Sequence, residues 1–194
     1  MQKLIRQDLY PLESYAEIRA AFRTKVIAHK RNRIVQLGPN ATLYFEDRLT
    51  MQYQIQEMLR VERIFEAEGI DDELGVYNPL IPDGSNWKAT FMIEVPDEAE
   101  RRQKLALWKG IENMVWVRVG ELDPVFAIAD EDMDRENEEK TSSVHFMRFE
   151  LTPGMVAAAK VGAAVSMGVK HNLYTETVDA VPDTTRASLV ADLD

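Results

Sequence analysis

The segment MLRVERIF, residues 58–65, places one carboxylate inside an apolar helical pattern. When residues 50–68 are set at helical spacing, Glu62 falls in the middle of the apolar side. That side is formed by Met51, Ile55, Met58 and Phe65. Because burying an unpaired carboxylate costs several kcal/mol, Glu62 must be ion-paired, protonated or at the surface after all. We favour a buried ion pair with an arginine over a general base or metal ligand with a raised pKa, since structural ion pairs also shift pKa values.

The segment VHFMRFE offers a partner for this carboxylate. It alternates as a strand, with Arg148 on one largely apolar face and His145 on the other, so we expect a central strand with both side chains partly buried. Our preferred arrangement pairs Glu62 with Arg148, or with Arg118 of the segment VWVRVG. A lone histidine on an apolar strand is more often a hydrogen-bonded core residue than a ligand, and we favour that interpretation of His145.

A less favoured interpretation is a pocket that does chemistry. Glu62, His145 and Arg148 would line it, with Glu57 and Arg60 nearby on the same helix. The sequence has no HxH, HxxxH or ExxH spacing, no phosphate-binding glycine loop and no GxSxG elbow. No motif requires a metal or a cofactor, so both stay unknown, as does the question whether the protein is an enzyme.

A basic segment near the N-terminus is a candidate anion site. Arg19, Arg23 and Lys30 can share one helix face and hold a phosphate or carboxylate group. A charged run is usually a solvated face, and that interpretation is favoured here. The acidic segment DEDMD begins like a calcium loop at Asp130, but Arg135 stands where the loop needs glycine, so we favour a solvated acidic stretch.

Composition excludes several classes of protein. The 194 residues include no cysteine, which excludes disulfides, thiolate metal sites and cysteine nucleophiles within this chain. The net charge is −10 and uneven, since residues 1–63 carry 11 Lys+Arg against 7 Asp+Glu. An acidic chain is a poor nucleic-acid binder. No apolar run reaches the ~18 residues that cross a bilayer, and residues 1–13 lack a signal-peptide pattern, so we expect a cytoplasmic protein without a membrane partner.

The order of elements predicts an α+β fold. Helical patterns cover residues 10–32, 50–68 and 96–114, and strand patterns lie between and after them without regular βα alternation. We therefore expect a mostly antiparallel sheet packed against three main helices. A single domain is expected over 1–174, followed by a C-terminal tail, 175–194, that could form one short helix.

Three long segments resemble an uncharacterised bacterial domain family. They are LGPNATLYFEDRLTMQYQIQEMLRVERIF, YNPLIP and EKTSSVHFMRFELT, and the resemblance extends from about residue 3 to about residue 174. Genes of that family often neighbour those for rubrerythrin and a cysteine-rich iron–sulfur oxidoreductase. The resemblance implies an accessory role near peroxide, iron or electron-transfer chemistry, and it identifies no catalytic residue.

Two functions follow as expectations. The first is an accessory or partner-binding protein of a bacterial redox or oxidative-stress system, acting as a homodimer or other homo-oligomer with a redox protein as its partner. The alternative is a small enzyme, or a metal- or ligand-binding protein, whose pocket lies around Glu62, His145 and Arg148.

Overall fold

A computed structural model describes residues 2–131 and 139–194. The helices are α1 (Leu12–Lys30), α2 (Arg48–Glu62), α3 (Ala67–Tyr77), α4 (Glu98–Leu107), α5 (Pro153–Lys160) and α6 (Asp183–Val190). The strands are β1 (Ile34–Leu37), β2 (Ala41–Glu46), β3 (Asn86–Ile93), β4 (Val115–Val119), β5 (Val125–Phe126), β6 (Ile128–Ala129), β7 (Val144–Glu150), β8 (Val165–His171) and β9 (Tyr174–Val178). No helix of these residues is long and apolar enough to cross a membrane.

The strands form two antiparallel sheets, which confirms the α+β prediction. One sheet has the order β1-β2-β3-β7-β6 and the other the order β5-β4-β8-β9. Alternation along each strand turns one face inward, so that Phe91 of the first sheet and Val117 of the second belong to the same buried core. β7 lies between β3 and β6, so the prediction of a central strand there is confirmed.

The apolar pattern of residues 50–68 is interrupted, so the prediction of one helix there is wrong. α2 ends at Glu62 because Arg63 adopts a left-handed conformation, φ 56°. The backbone N–H groups of Arg63 and Ile64 both bond to the carbonyl of Leu59, which closes the last turn. A new helix, α3, then covers Ala67–Tyr77, a segment whose second half reads as loop from its sequence.

The C-terminal residues are packed into the molecule. Residue 174 opens β9, and α6 places Leu189 in the main core with no exposed surface. The indole Nε1 of Trp87 donates to the carbonyl of Leu189 at 2.9 Å. Residues 175–194 therefore complete the second sheet and cover the first. The calcium-like pattern falls on residues 132 and 134, which lie outside the described residues.

Candidate functional site

Glu62 is exposed at the last turn of α2, so the prediction that it is buried is wrong. The physical reason is the break at Arg63, which turns Phe65 away and leaves its side chain 67% exposed instead of continuing the apolar side. The predicted pairs with Arg148 and Arg118 are also absent from the described residues. Arg148 pairs with Glu131 and Glu150, and the Nε of Arg118 donates to Ser166.

Glu57, five residues earlier, is the carboxylate that α2 turns inward. Arg19 of α1 donates two hydrogen bonds to it, at 2.8 and 2.7 Å, and Arg60 adds a third at 3.2 Å. The buried hydroxyl of Tyr15 also donates to it at 2.7 Å. Arg19 foremost, with Tyr15 and Arg60, lowers the pKa of Glu57 to about 2. Two predicted site residues, Glu57 and Arg60, thus contact each other, and Glu57 also contacts Arg19 of the predicted anion site. The guanidinium of Arg19 already binds the carboxylate of Glu57.

We expect Glu57→Gln to cost about 1–2 kcal/mol of unfolding free energy at pH 7, because an amide cannot replace the charge-assisted bonds to Arg19. The folded-state pKa of Glu57 lies below its ordinary 4.5, so its contribution is present above about pH 4.5 and is lost as pH falls toward 2. Urea titrations from pH 3 to 7 would show a shallower acid decline in the variant. Glu62→Gln is the matched control and should change nothing; equal effects of the two variants would contradict the assignment.

His145 lies in the interior, between the two sheets, with no exposed surface. Its Nδ1 is 2.5 Å from Asp130 Oδ2, and its Nε2 is 3.0 Å from the carbonyl oxygen of Ser142 and 3.1 Å from Thr141 Oγ1. Glu112 Oε2 lies 4.0 Å from the same Nε2. The favoured interpretation of a hydrogen-bonded core histidine matches this geometry. Alternation along β7 sends His145 inward and Arg148 outward, so the two cannot line one pocket.

A second buried polar cluster had no sequence prediction. Arg33, 1% exposed, follows α1 and binds Asp192 near the C-terminus, with Nη2–Oδ2 at 2.5 Å. Its Nη1 lies 3.4 Å from Asp47, which caps α2 and also contacts His29 Nε2 at 2.5 Å. Burial raises the pKa of Asp192 to about 6, although the charge of Arg33 opposes the shift. This cluster ties the end of α1 and the start of α2 to the residues after α6.

The described surface also has an amphiphilic cleft, which we define as the α3–β7 cleft. Its volume is about 420 Å³. One wall comes from α3 and the turn after it, and the other from the outer face of β3 and β7. Its lining includes Val76, Tyr77, Leu80, Lys88, Phe146 and Arg148. Pockets of this size, with mostly apolar walls and a few polar groups, are the usual form of small-molecule sites.

Lys88 is the unusual group in the α3–β7 cleft. It lies opposite Arg148 in the β3–β7 register and is partly buried, yet it forms no hydrogen bond or ion pair with any residue that the structure describes. Burial lowers the pKa of its ammonium group, and the neighbouring charge of Arg148 lowers it further, while the carboxylates of Glu131 and Asp83 oppose the shift. Arg148 differs, because Glu131 and Glu150 occupy its guanidinium and raise its pKa.

The five residues predicted for a pocket that does chemistry therefore separate into four places. Glu62 is at the surface, Glu57 and Arg60 are between α1 and α2, His145 is in the core, and Arg148 alone lines the cleft. Among residues 2–131 and 139–194, no three His, Cys, Asp or Glu side chains group in a way that could hold a metal ion. Lys88 was missed because strand alternation marks it only as outward-facing, and the helix that covers it lies in a segment that reads as loop.

Comparison with known proteins agrees with this fold. A crystal structure of a protein of unknown function from Burkholderia pseudomallei K96243 is 48% identical, covers 100% of both chains and superposes with a TM-score of 0.94. No curated protein matches the chain. The family model described as "Protein of unknown function (DUF3501)" matches residues 3–193, beyond the end at 174 that the sequence resemblance suggested. The chain belongs to this family of proteins of unknown function.

Proposed function

We propose that the protein binds a small anionic ligand with an apolar body in the α3–β7 cleft, and that Lys88 pairs with the anionic group. The observation that carries this proposal is the ammonium of Lys88, which is partly buried in the cleft and forms no ion pair with a described carboxylate, although Glu131 of the same lining acts on it from a greater distance. It supports the ligand-binding alternative and moves the pocket from Glu62 and His145 to the cleft that Arg148 lines.

The energetics favour an anion. A cation that is taken out of water without a partner is destabilised, and an opposite charge within hydrogen-bonding distance recovers part of that cost. Neighbouring Arg148 is neutralised by two carboxylates, so it shapes the wall without competing for the ligand. Val76, Leu80 and Phe146 supply the apolar surface against which a hydrocarbon body would pack.

The test uses octanoate as the probe and calorimetry as the measurement. We expect Lys88→Met to weaken octanoate binding about tenfold or more, since the variant keeps the apolar stem and removes the charge. Lys160→Met, at an exposed lysine that ends α5, is the matched control and should bind as the parent protein does. Octan-1-ol, which lacks the charge, should bind the parent and the Lys88→Met protein alike.

Two results would contradict the proposal. One is the absence of octanoate binding at millimolar concentration by the folded parent protein. The other is equal octanoate affinity in the Lys88→Met and Lys160→Met variants, because the anion would then not be held by Lys88.

A second candidate function is an accessory role in a bacterial redox or oxidative-stress system in the cytoplasm, with a redox protein as partner and the chain as a homodimer. The gene context implied by the sequence resemblance supports it, as does an exposed apolar cleft of about 340 Å³ that Leu9, Tyr10, Ile64 and Phe65 line. Phe65 is the most exposed of these side chains, and an exposed aromatic residue on an apolar surface is typical of a contact with another protein.

The accessory role is tested with purified proteins. The chain would be mixed with the rubrerythrin and the iron–sulfur oxidoreductase encoded beside such genes, and complexes would be measured by light scattering. A complex that Phe65→Ser weakens supports the role. A monomer that forms no complex with either protein, in both oxidised and reduced conditions, counts against it.

A further inference from the structure

The outer face of the second sheet has a feature that the α3–β7 cleft does not explain. Trp116 of β4 lies opposite Phe126 of β5 on one side and opposite Gly168 of β8 on the other. The indole rests on Gly168, because a Cβ built there would lie only 2.8 Å from its Cζ2 atom and 2.4 Å from the carbonyl oxygen of Glu176. Glycine thus makes room for a flat, partly exposed aromatic surface.

Two cations flank this aromatic surface. Arg118 lies two residues beyond Trp116 on β4, and Lys170 lies two residues beyond Gly168 on β8. The Nε of Arg118 donates to Ser166 Oγ at 3.2 Å, and the structure records no other partner for its guanidinium among the described residues. Lys170 is exposed and equally without a recorded partner there.

The charge of this surface is opposite to that of the whole chain. The net charge is −10, yet none of the described residues that line the surface is acidic. The cavity above it has a volume of about 270 Å³, which suits one small molecule. Aromatic rings, unpaired cations and exposed hydroxyl groups of Thr175 and Thr177 occur together in it.

We propose that this surface binds a mononucleotide, with the base stacked on Trp116 and Phe126 and the phosphate held by Arg118. A planar base matches a flat indole, and such stacking is worth about 1–3 kcal/mol per base. The two Nη groups of Arg118 present the paired donors that match phosphate oxygens. The hydrogen bond from Nε to Ser166 fixes the orientation of the guanidinium. Lys170 adds a second positive charge.

Tryptophan fluorescence can measure this binding directly. The chain has 3 tryptophans, and Trp87 and Trp108 are 0% and 5% exposed. Trp116 is therefore the tryptophan that a ligand can stack on, and AMP should quench its emission in a saturable way. We expect adenosine and inorganic phosphate each to bind at least tenfold more weakly than AMP, since each makes only one of the two contacts.

Variants locate the two halves of the site. Arg118→Ala should weaken AMP about tenfold or more and leave adenosine unchanged, and Trp116→Leu, followed by calorimetry, should weaken both. Lys25→Ala, an exposed lysine on α1, is the matched control. Thermal melting confirms that each variant is folded, and Lys88→Met should leave AMP binding unchanged.

Three results would overturn the inference. AMP and inorganic phosphate could bind equally, which would leave no role for the aromatic surface. AMP binding could survive Arg118→Ala unchanged. An oligonucleotide could bind where AMP does not, which would indicate a nucleic-acid surface in place of a mononucleotide site.

Discussion

Arg33→Ala is expected to lower the free energy of unfolding by about 3–5 kcal/mol, because it leaves a buried carboxylate without its cation. Arg33 joins the segment after α1 to the C-terminal residues, since it contacts Asp192 at 2.5 Å. Its side chain also donates to the carbonyl oxygens of Phe45, Glu46 and Ser188, each at 3.1 Å. Those three acceptors are buried or partly buried, and alanine offers none of them a donor.

Thermal and urea denaturation would measure this effect. For a domain of this size, about 2–4 °C of melting temperature corresponds to each kcal/mol, so a loss of roughly 10 °C is expected. Arg31→Ala, two residues away and exposed, should shift the melting temperature by little. Adding Asp192→Leu to Arg33→Met should recover part of the loss, since the buried charge of Asp192 is then gone and Asp47 keeps its contact with His29. A melting temperature of Arg33→Ala equal to that of Arg31→Ala would contradict this account.

His145→Leu is expected to cost about 2–3 kcal/mol. Leucine is apolar and of similar volume, so the change creates only a small cavity, and the loss reports mainly the removed hydrogen bonds. Asp130 Oδ2 loses its 2.5 Å partner, and the carbonyl oxygen of Ser142 loses its 3.0 Å partner. Asp130 is a non-glycine residue at φ 53°, and His145 is one of the contacts that hold it there.

The polar groups around His145 explain why leucine is a poor substitute. Nδ1 lies 2.5 Å from a carboxylate oxygen of Asp130, and a hydrogen must lie between the two atoms. Nε2 lies within 3.1 Å of both the carbonyl oxygen of Ser142 and Thr141 Oγ1. The ring thus joins three polar groups of the core, and leucine can bond to none of them.

His171→Leu is the matched control for His145→Leu. His171 lies at the end of β8 and accepts one long bond, 3.3 Å, from the backbone N–H of Leu173, so its loss should cost under about 0.5 kcal/mol. Chemical denaturation of both variants separates the two residues. Equal stability of the His145→Leu protein and the parent protein would show that the buried network contributes nothing net.

Local patterns were sufficient for much of the fold. The apolar stripe of Tyr15, Phe22 and Val26 predicts α1 and its buried side, because a helix brings every third or fourth residue to one face. The turn GPN between two apolar runs predicts the β1–β2 hairpin, and alternation predicts which side chains of β7 point inward.

Helix ends and long-range partners were not predictable in the same way. A left-handed residue at a helix end is usually glycine or asparagine, but here it is Arg63. The apolar pattern of the sequence therefore continues past the point where the helix ends. Because α2 ends at Glu62 and not near residue 68, Glu62 lies at the surface and not in the interior. The segment PVFAIA has the pattern of one strand, but the chain passes from one sheet to the other at Ala127, giving β5 and β6.

The candidate site itself depends on contacts between distant segments. Lys88 is partly buried because α3 covers the outer face of β3. Arg33 gains its ionic partner because Asp192, near the C-terminus, packs against the segment after α1. Partners separated by 159 residues, such as Arg33 and Asp192, leave no periodic signal in one sequence. The sequence therefore named Arg148 as a candidate, but for a pocket shared with Glu62 and His145, and it missed the lysine beside it.

The most direct test of the account is a pH titration of the lysine side chains by NMR, read at the 13Cε atoms. We predict that the lysine resonance absent from Lys88→Arg has a pKa below the ordinary 10.5, and that a second lowered resonance, which persists in that variant, belongs to Lys3. Octanoate should raise the pKa of Lys88, because the bound anion stabilises the ammonium form. If the resonance of Lys88 titrates at or above the ordinary value, or if octanoate leaves its pKa unchanged, the proposed anion-binding cleft is contradicted.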